Sequence, residues 1–113
     1  MQIYSDHKIH EEFLGKRKRL FEILKAEGYN ASIDDFYEVE YDKDFDYFLY
    51  REVGYPTLTM MTIGLFLNPY SATSLREYFA SGFEESYIGD RAYVKKISPQ
   101  LFLKIEDLEK ITN

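Results

Sequence analysis

Asn68-Pro69-Tyr70-Ser71-Ala72-Thr73-Ser74-Leu75-Arg76-Glu77-Tyr78-Phe79-Ala80-Ser81-Gly82-Phe83-Glu84-Glu85, residues 68–85, joins a proline-bearing turn to a stretch with apolar residues at helical spacing. Ser74 and Glu77 stand in the S-x-x-E arrangement of a capping box, in which the hydroxyl accepts from an early helical amide and the carboxylate reaches back to the cap amide. Leu75, Phe79 and Phe83 then recur every four residues, which places them on one face and predicts that they enter a core. This reading predicts a central helix from about Ser74 to Tyr87, with Glu77 as a cap and Tyr70 as a packing residue.

The run Tyr70-x6-Glu77-Tyr78-Phe79-Ala80-x2-Phe83 also resembles the third-ligand segment of the anthrax lethal factor family of zinc metallopeptidases, which includes relatives encoded by bacteriophages. Asp46-Tyr47-Phe48-Leu49-Tyr50, Val53-Gly54-Tyr55-Pro56 and Ile97-Ser98-Pro99 extend the resemblance to about Phe45–Leu108. The resemblance implies that Glu77 is the third zinc ligand and that the Tyr70 hydroxyl stabilises the tetrahedral oxyanion. It also implies a fold like the C-terminal lobe of a zincin. The departure is that no His-Glu-x-x-His occurs in the sequence, although a zincin needs two imidazoles one helical turn apart and a glutamate base between them. His10-Glu11-Glu12-Phe13-Leu14 begins like that motif but has Leu14 where the second histidine belongs.

At 113 residues the chain is expected to form a single helical domain, residues 1–113, with enough length to bury a core. Eleven Tyr and nine Phe make it too apolar for a disordered tail and suit either a full core or a large contact surface. The formal net charge of −6 argues against nucleic acid as a partner, because affinity for phosphate backbones requires clustered Lys and Arg. The basic cluster Lys16-Arg17-Lys18-Arg19 lies inside a helical pattern and is read as a solvated face. The absence of cysteine rules out disulfides and thiolate metal sites. With neither a signal-peptide h-region nor an apolar run of membrane-spanning length, the chain reads as soluble, in the cytoplasm or in a phage virion, with no membrane association.

Along the chain, Ile9, Phe13, Leu20, Phe21 and Leu24 predict a first helix over about His7–Glu27, stopped by Gly28. His7 and His10 lie three apart near its start and are read as surface histidines. Tyr29–Lys43 reads as an acidic loop with a short helical turn, its Asp34-Asp35 pair lacking the ordered oxygen spacing of a calcium loop. Phe45, Phe48 and Leu49 predict a short helix ending near Gly54, and Pro56 suits the first turn of the next. Thr57–Leu67, nearly uncharged and rich in Leu, Met and Ile, is expected to be the central buried element. Tyr93, Val94 and Ile97 predict a helical turn, and Ser98-Pro99 followed by Leu101, Phe102, Ile105 and Leu108 a last amphipathic helix. The expected class is all-α, a compact bundle of five or six helices.

A catalytic zinc site takes three protein ligands and a water, and the resemblance assigns one of the three here. The isolated chain is therefore expected to be inactive, with zinc as a cofactor only if another chain completes the site. In the family the paired histidines precede the segment that looks like Tyr4–Gly28, so the chain begins where the histidine helix would have ended. The chain is expected either to complete a site with a separate His-Glu-x-x-His chain or to be a degenerate relative kept as a phage structural or interaction module, so the expected partner is another protein chain, a histidine-bearing peptidase half or a phage virion protein. The alternative is an unrelated small acidic helical binder, such as a phage inhibitor of a host protein.

Overall fold

The computed structural model describes residues 6–112, and every regular element among them is helical. In chain order these are α1 (His7–Ala26), α2 (Ile33–Tyr37), α3 (Lys43–Tyr47), a π-helical turn (Phe48–Val53), α4 (Tyr55–Met61), a 3-10 turn (Pro69–Ala72), α5 (Leu75–Ile88), α6 (Arg91–Ile97) and α7 (Pro99–Thr112). The class is all-α, as the periodicity predicts, with seven α-helices among the described residues where five or six were expected. Among the described residues no helix is long and apolar enough to cross a membrane.

The first helix supplies the axis of the fold. Asp6 caps it, its carboxylate accepting from Lys8 N and Ile9 N at 3.2 Å each, and Gly28 with φ 92° turns the chain away just beyond its end. Its buried face runs Ile9, Phe13, Lys16, Arg17, Leu20, Leu24, a stripe at helical spacing. α2, α5 and α7 pack on that stripe. Each fully buried Leu or Phe contributes about 1.5–3 kcal/mol, and the Phe13, Phe66 and Tyr78 rings meet edge-on or tilted, 5.3–6.4 Å between centroids.

Two of the four residues read as a solvated basic face, Lys16 and Arg17, are instead buried. The apolar stripe passes through their positions, and their long stems carry the charged heads to backbone carbonyls rather than to water.

α5 begins where the cap signal places it, with Ser74 Oγ accepting from Glu77 N at 3.1 Å. Its buried face differs from the expected one. Leu75, Tyr78, Ser81 and Gly82 are buried, Phe79 is half-buried and Phe83 is exposed. The cause is at Gly82, where a Cβ would stand 2.9 Å from Leu101 Cγ and closer still to Cδ2. The missing side chain lets α7 approach there, and this rotates the Phe79–Phe83–Tyr87 row onto the flank, where its rings pack on one another at 6.1 and 4.8 Å.

The Thr57–Leu67 stretch is not the central buried element. α4 ends at Met61, the chain turns through Gly64 at φ 80°, and only Leu58, Thr62 and Phe66 of the stretch are buried, while Met60 and Ile63 are 75% and 78% exposed. Lys16 Nζ donates to Leu65 O in this turn, which keeps the backbone on the surface of α1 without burying its apolar side chains.

Candidate functional site

Tyr70 sits in the 3-10 turn and Glu77 in the first turn of α5. Tyr70 is 55% exposed, and its ring packs edge-on against Tyr55 at 5.0 Å. Glu77 is exposed. Its backbone amide serves the Ser74 cap, but its carboxylate does not return a bond to Ser74 N, so the box is half made. The reciprocal capping box lies six residues upstream: Asn68 Oδ1 accepts from Ser71 N at 2.9 Å, and Ser71 Oγ accepts from Asn68 N at 3.4 Å. The first amide of α5, at Leu75, donates instead to Val39 O at 2.8 Å. No hydrogen bond joins Tyr70 and Glu77 among the described residues, and both residues are exposed.

Tyr70 borders a surface row of tyrosines organised by one carboxylate. Asp46, on α3, accepts from Tyr55 Oη at 2.6 Å and from Tyr41 Oη at 2.9 Å, while Tyr50 packs edge-on against Tyr55 at 5.4 Å. Burial together with the Asp46 bond pushes the Tyr55 hydroxyl well above the ordinary phenol range, and the bond to Asp46 raises that of Tyr41. Tyr41 and Tyr50 remain 60% and 57% exposed.

Behind these surface groups, three polar side chains of α1 tie the site to the rest of the molecule. Arg17 donates to Ala72 O at 2.6 Å and Thr73 O at 2.9 Å, the carbonyls that end the 3-10 turn bearing Tyr70, and to Phe36 O and Glu38 O at 3.3 and 3.2 Å at the end of α2. Its guanidinium carbon lies 4.8 Å from the Phe13 ring centre and 4.4 Å from that of Phe45. Burial lowers its pKa to about 9, opposed in part by Glu38, and it remains charged at neutral pH. Bonds to a charged donor contribute about 1.5–3 kcal/mol each, so four of them offset a desolvation penalty of several kcal/mol. Lys16 Nζ bridges Leu65 O and Ile97 O, 2.6 Å from each. Glu12 accepts from Gln100 N at 2.8 Å and Leu101 N at 3.4 Å, capping α7 from another helix. It also accepts a hydrogen bond from the Tyr78 hydroxyl at 2.6 Å, and since that hydroxyl has a single proton, Ser98 donates to the Tyr78 oxygen at 2.8 Å.

No family model, curated protein or solved structure matches this chain.

Glu77 offers a single carboxylate, and among the described residues no group of three or more His, Cys, Asp or Glu side chains is placed to hold a metal ion. His7 is exposed and His10 half-buried on α1. The sequence reading missed Glu12, Lys16, Arg17 and Asp46. For Lys16 and Arg17 a signal existed, since both fall in register with Ile9, Phe13, Leu20 and Leu24, whereas Lys18 and Arg19 do not.

Proposed function

We propose that this chain is a helical lobe that acts by binding a second protein chain and has no catalytic activity of its own. The observation that carries the reading is the Glu77 carboxylate, which stands exposed at the start of α5 and is not used by the cap that its spacing suggested. A glutamate that closes no capping box beside a half-exposed tyrosine is suited to a contact made between chains. The resemblance of Tyr70-x6-Glu77 to the lethal factor family supports a partner that bears His-Glu-x-x-His, with Glu77 and Tyr70 on this chain's side of the contact. Any metal would then depend on residues of that partner.

The test is co-expression with a His-Glu-x-x-His protein encoded beside this chain, with zinc content, complex formation and melting temperature measured for three variants. Glu77→Gln is expected to abolish zinc retention by the complex while costing the isolated chain less than about 1 kcal/mol, the scale of a helix-terminus charge effect. Ser74→Ala is expected to cost about 0.5–2 kcal/mol, the range for a lost cap, and to leave zinc in place. Tyr70→Phe should spare zinc and lower proteolysis by the complex. Zinc-free complexes throughout, with equal stability losses at Ser74 and Glu77, would return Glu77 to a purely structural role.

A further inference from the structure

The net charge of the chain is concentrated in one segment. Residues 34–52 hold eight of the twenty acidic residues and two of the fourteen basic ones, a net of −6, so the rest of the chain balances at twelve of each. Among the described residues none of those eight carboxylates takes part in a salt bridge; the ion pairs there lie at Arg19–Glu22, Arg91–Glu109 and Lys104–Asp6. Arg17, beneath this region, directs its donors to carbonyls and interacts with one of these carboxylates, Glu38, only through its charge.

The same segment shapes a cleft of about 210 Å³ between α2 and α3. Phe36, Phe45 and Phe48 line its apolar part, the first two buried, and the exposed Asp35, Asp42 and Asp44 line its polar part. α3 continues from this cleft to Asp46 and the exposed Tyr41 and Tyr50. Arg17 already lies over the Phe45 ring from inside and Asp42 caps α3, so the half-buried Phe48 with the exposed Asp35 and Asp44 forms the accessible part of the cleft. An aromatic face next to carboxylates attracts a flat, weakly hydrated cation, and this combination favours guanidinium over ammonium because it allows stacking and a two-pronged bond together. Nucleic acids and anionic lipid surfaces are repelled by the same charge.

We propose that the face formed by this cleft and the Tyr41–Asp46–Tyr50 row docks an arginine-rich segment of a partner protein, with one guanidinium in the cleft beside Phe48, Asp35 and Asp44. The proposal rests on the partner-binding reading only in that the ligand is a protein; its residues are different ones.

The probe is a fluorescent arginine octapeptide, with a lysine octapeptide for comparison, followed by anisotropy at an ionic strength of about 0.15 M, where diffuse attraction is largely screened. The arginine peptide is expected to bind about threefold or more tightly than the lysine one. Asp35→Asn with Asp44→Asn, and separately Tyr41→Ser with Tyr50→Ser, should each weaken it about tenfold. Glu106→Gln with Asp107→Asn on α7 changes the net charge equally and should weaken it less than about twofold. Circular dichroism checks that each variant keeps its helices, and Tyr50→Ser alone serves if the double tyrosine variant does not. Equal losses from the two carboxylate pairs, or no loss from the tyrosine changes, would overturn the proposal. Tyr70 and Glu77 are untouched in these variants, so zinc retention by a co-expressed complex is read independently of this result.

Discussion

Arg17 is the residue on which several segments depend, because a single guanidinium satisfies the carbonyls at the end of α2 and of the 3-10 turn. Removing it would leave those carbonyls without partners inside the protein, at about 1–3 kcal/mol for each group kept from water. Arg17→Met is expected to destabilise the chain by about 3–5 kcal/mol. Arg17→Lys should rescue little of the loss, since one ammonium cannot reproduce the planar fork. Urea unfolding followed by circular dichroism measures both, and a lysine variant as stable as the parent would show that the charge matters and the geometry does not. This role was hard to read in the sequence, where Lys16-Arg17-Lys18-Arg19 looks like four equivalent charges. Helical register separates the inner pair from the outer, but which carbonyls they reach depends on segments 19 to 81 residues away.

At the scale of elements, the long helices were legible and their contacts were not. α1, α5 and α7 start and stop near the positions that caps, glycine and Ser98-Pro99 indicate, because those signals are local chemistry. The inward face of α5 was misread because periodicity ranks Leu, Phe and Tyr alike, whereas the actual face is chosen by the closest approach of α7 at Gly82. Gly82→Ala therefore sets two effects against each other. Alanine improves helix propensity by about 1 kcal/mol, but overpacking against Leu101 costs about 1–3 kcal/mol, and the clash is expected to win. A double-mutant cycle with Leu101→Ala checks this, since the alanine at 82 should become neutral or stabilising once Leu101 is shortened. Additive effects would show that the two helices do not meet there. The turn bearing Tyr70 and the helix start bearing Glu77 were legible, but not that both side chains are exposed, and the tyrosine row around Asp46 was not legible because it joins a loop residue, α3 and α4.

For the whole molecule, the raised tyrosine hydroxyls set an alkaline limit to stability. Burial, then Glu12, pushes Tyr78 far above its ordinary value against the opposing bond from Ser98, and Tyr55 is raised by burial and Asp46. The folded chain thus holds these protons more tightly than the unfolded chain. Their contribution is fully present below the unfolded phenol pKa of about 10 and declines as pH rises above it. Melting temperature measured across that range should fall steeply for the parent and less steeply for Tyr78→Phe; parallel slopes would remove Tyr78 from the explanation. The cap that Glu12 places on Gln100, 88 residues along the chain, has a further consequence in time. At ribosomal rates of about 5–20 residues per second, Glu12 emerges on the order of ten seconds before the amides it will cap, whereas a helix forms within about a microsecond. The first helix to be made thus waits with its Glu12 carboxylate unmatched after Arg17 has met its carbonyls at residues 36–73. The nascent chain keeps part of the amphipathic face of that helix uncovered until the last helix is synthesised and fixes the first in place.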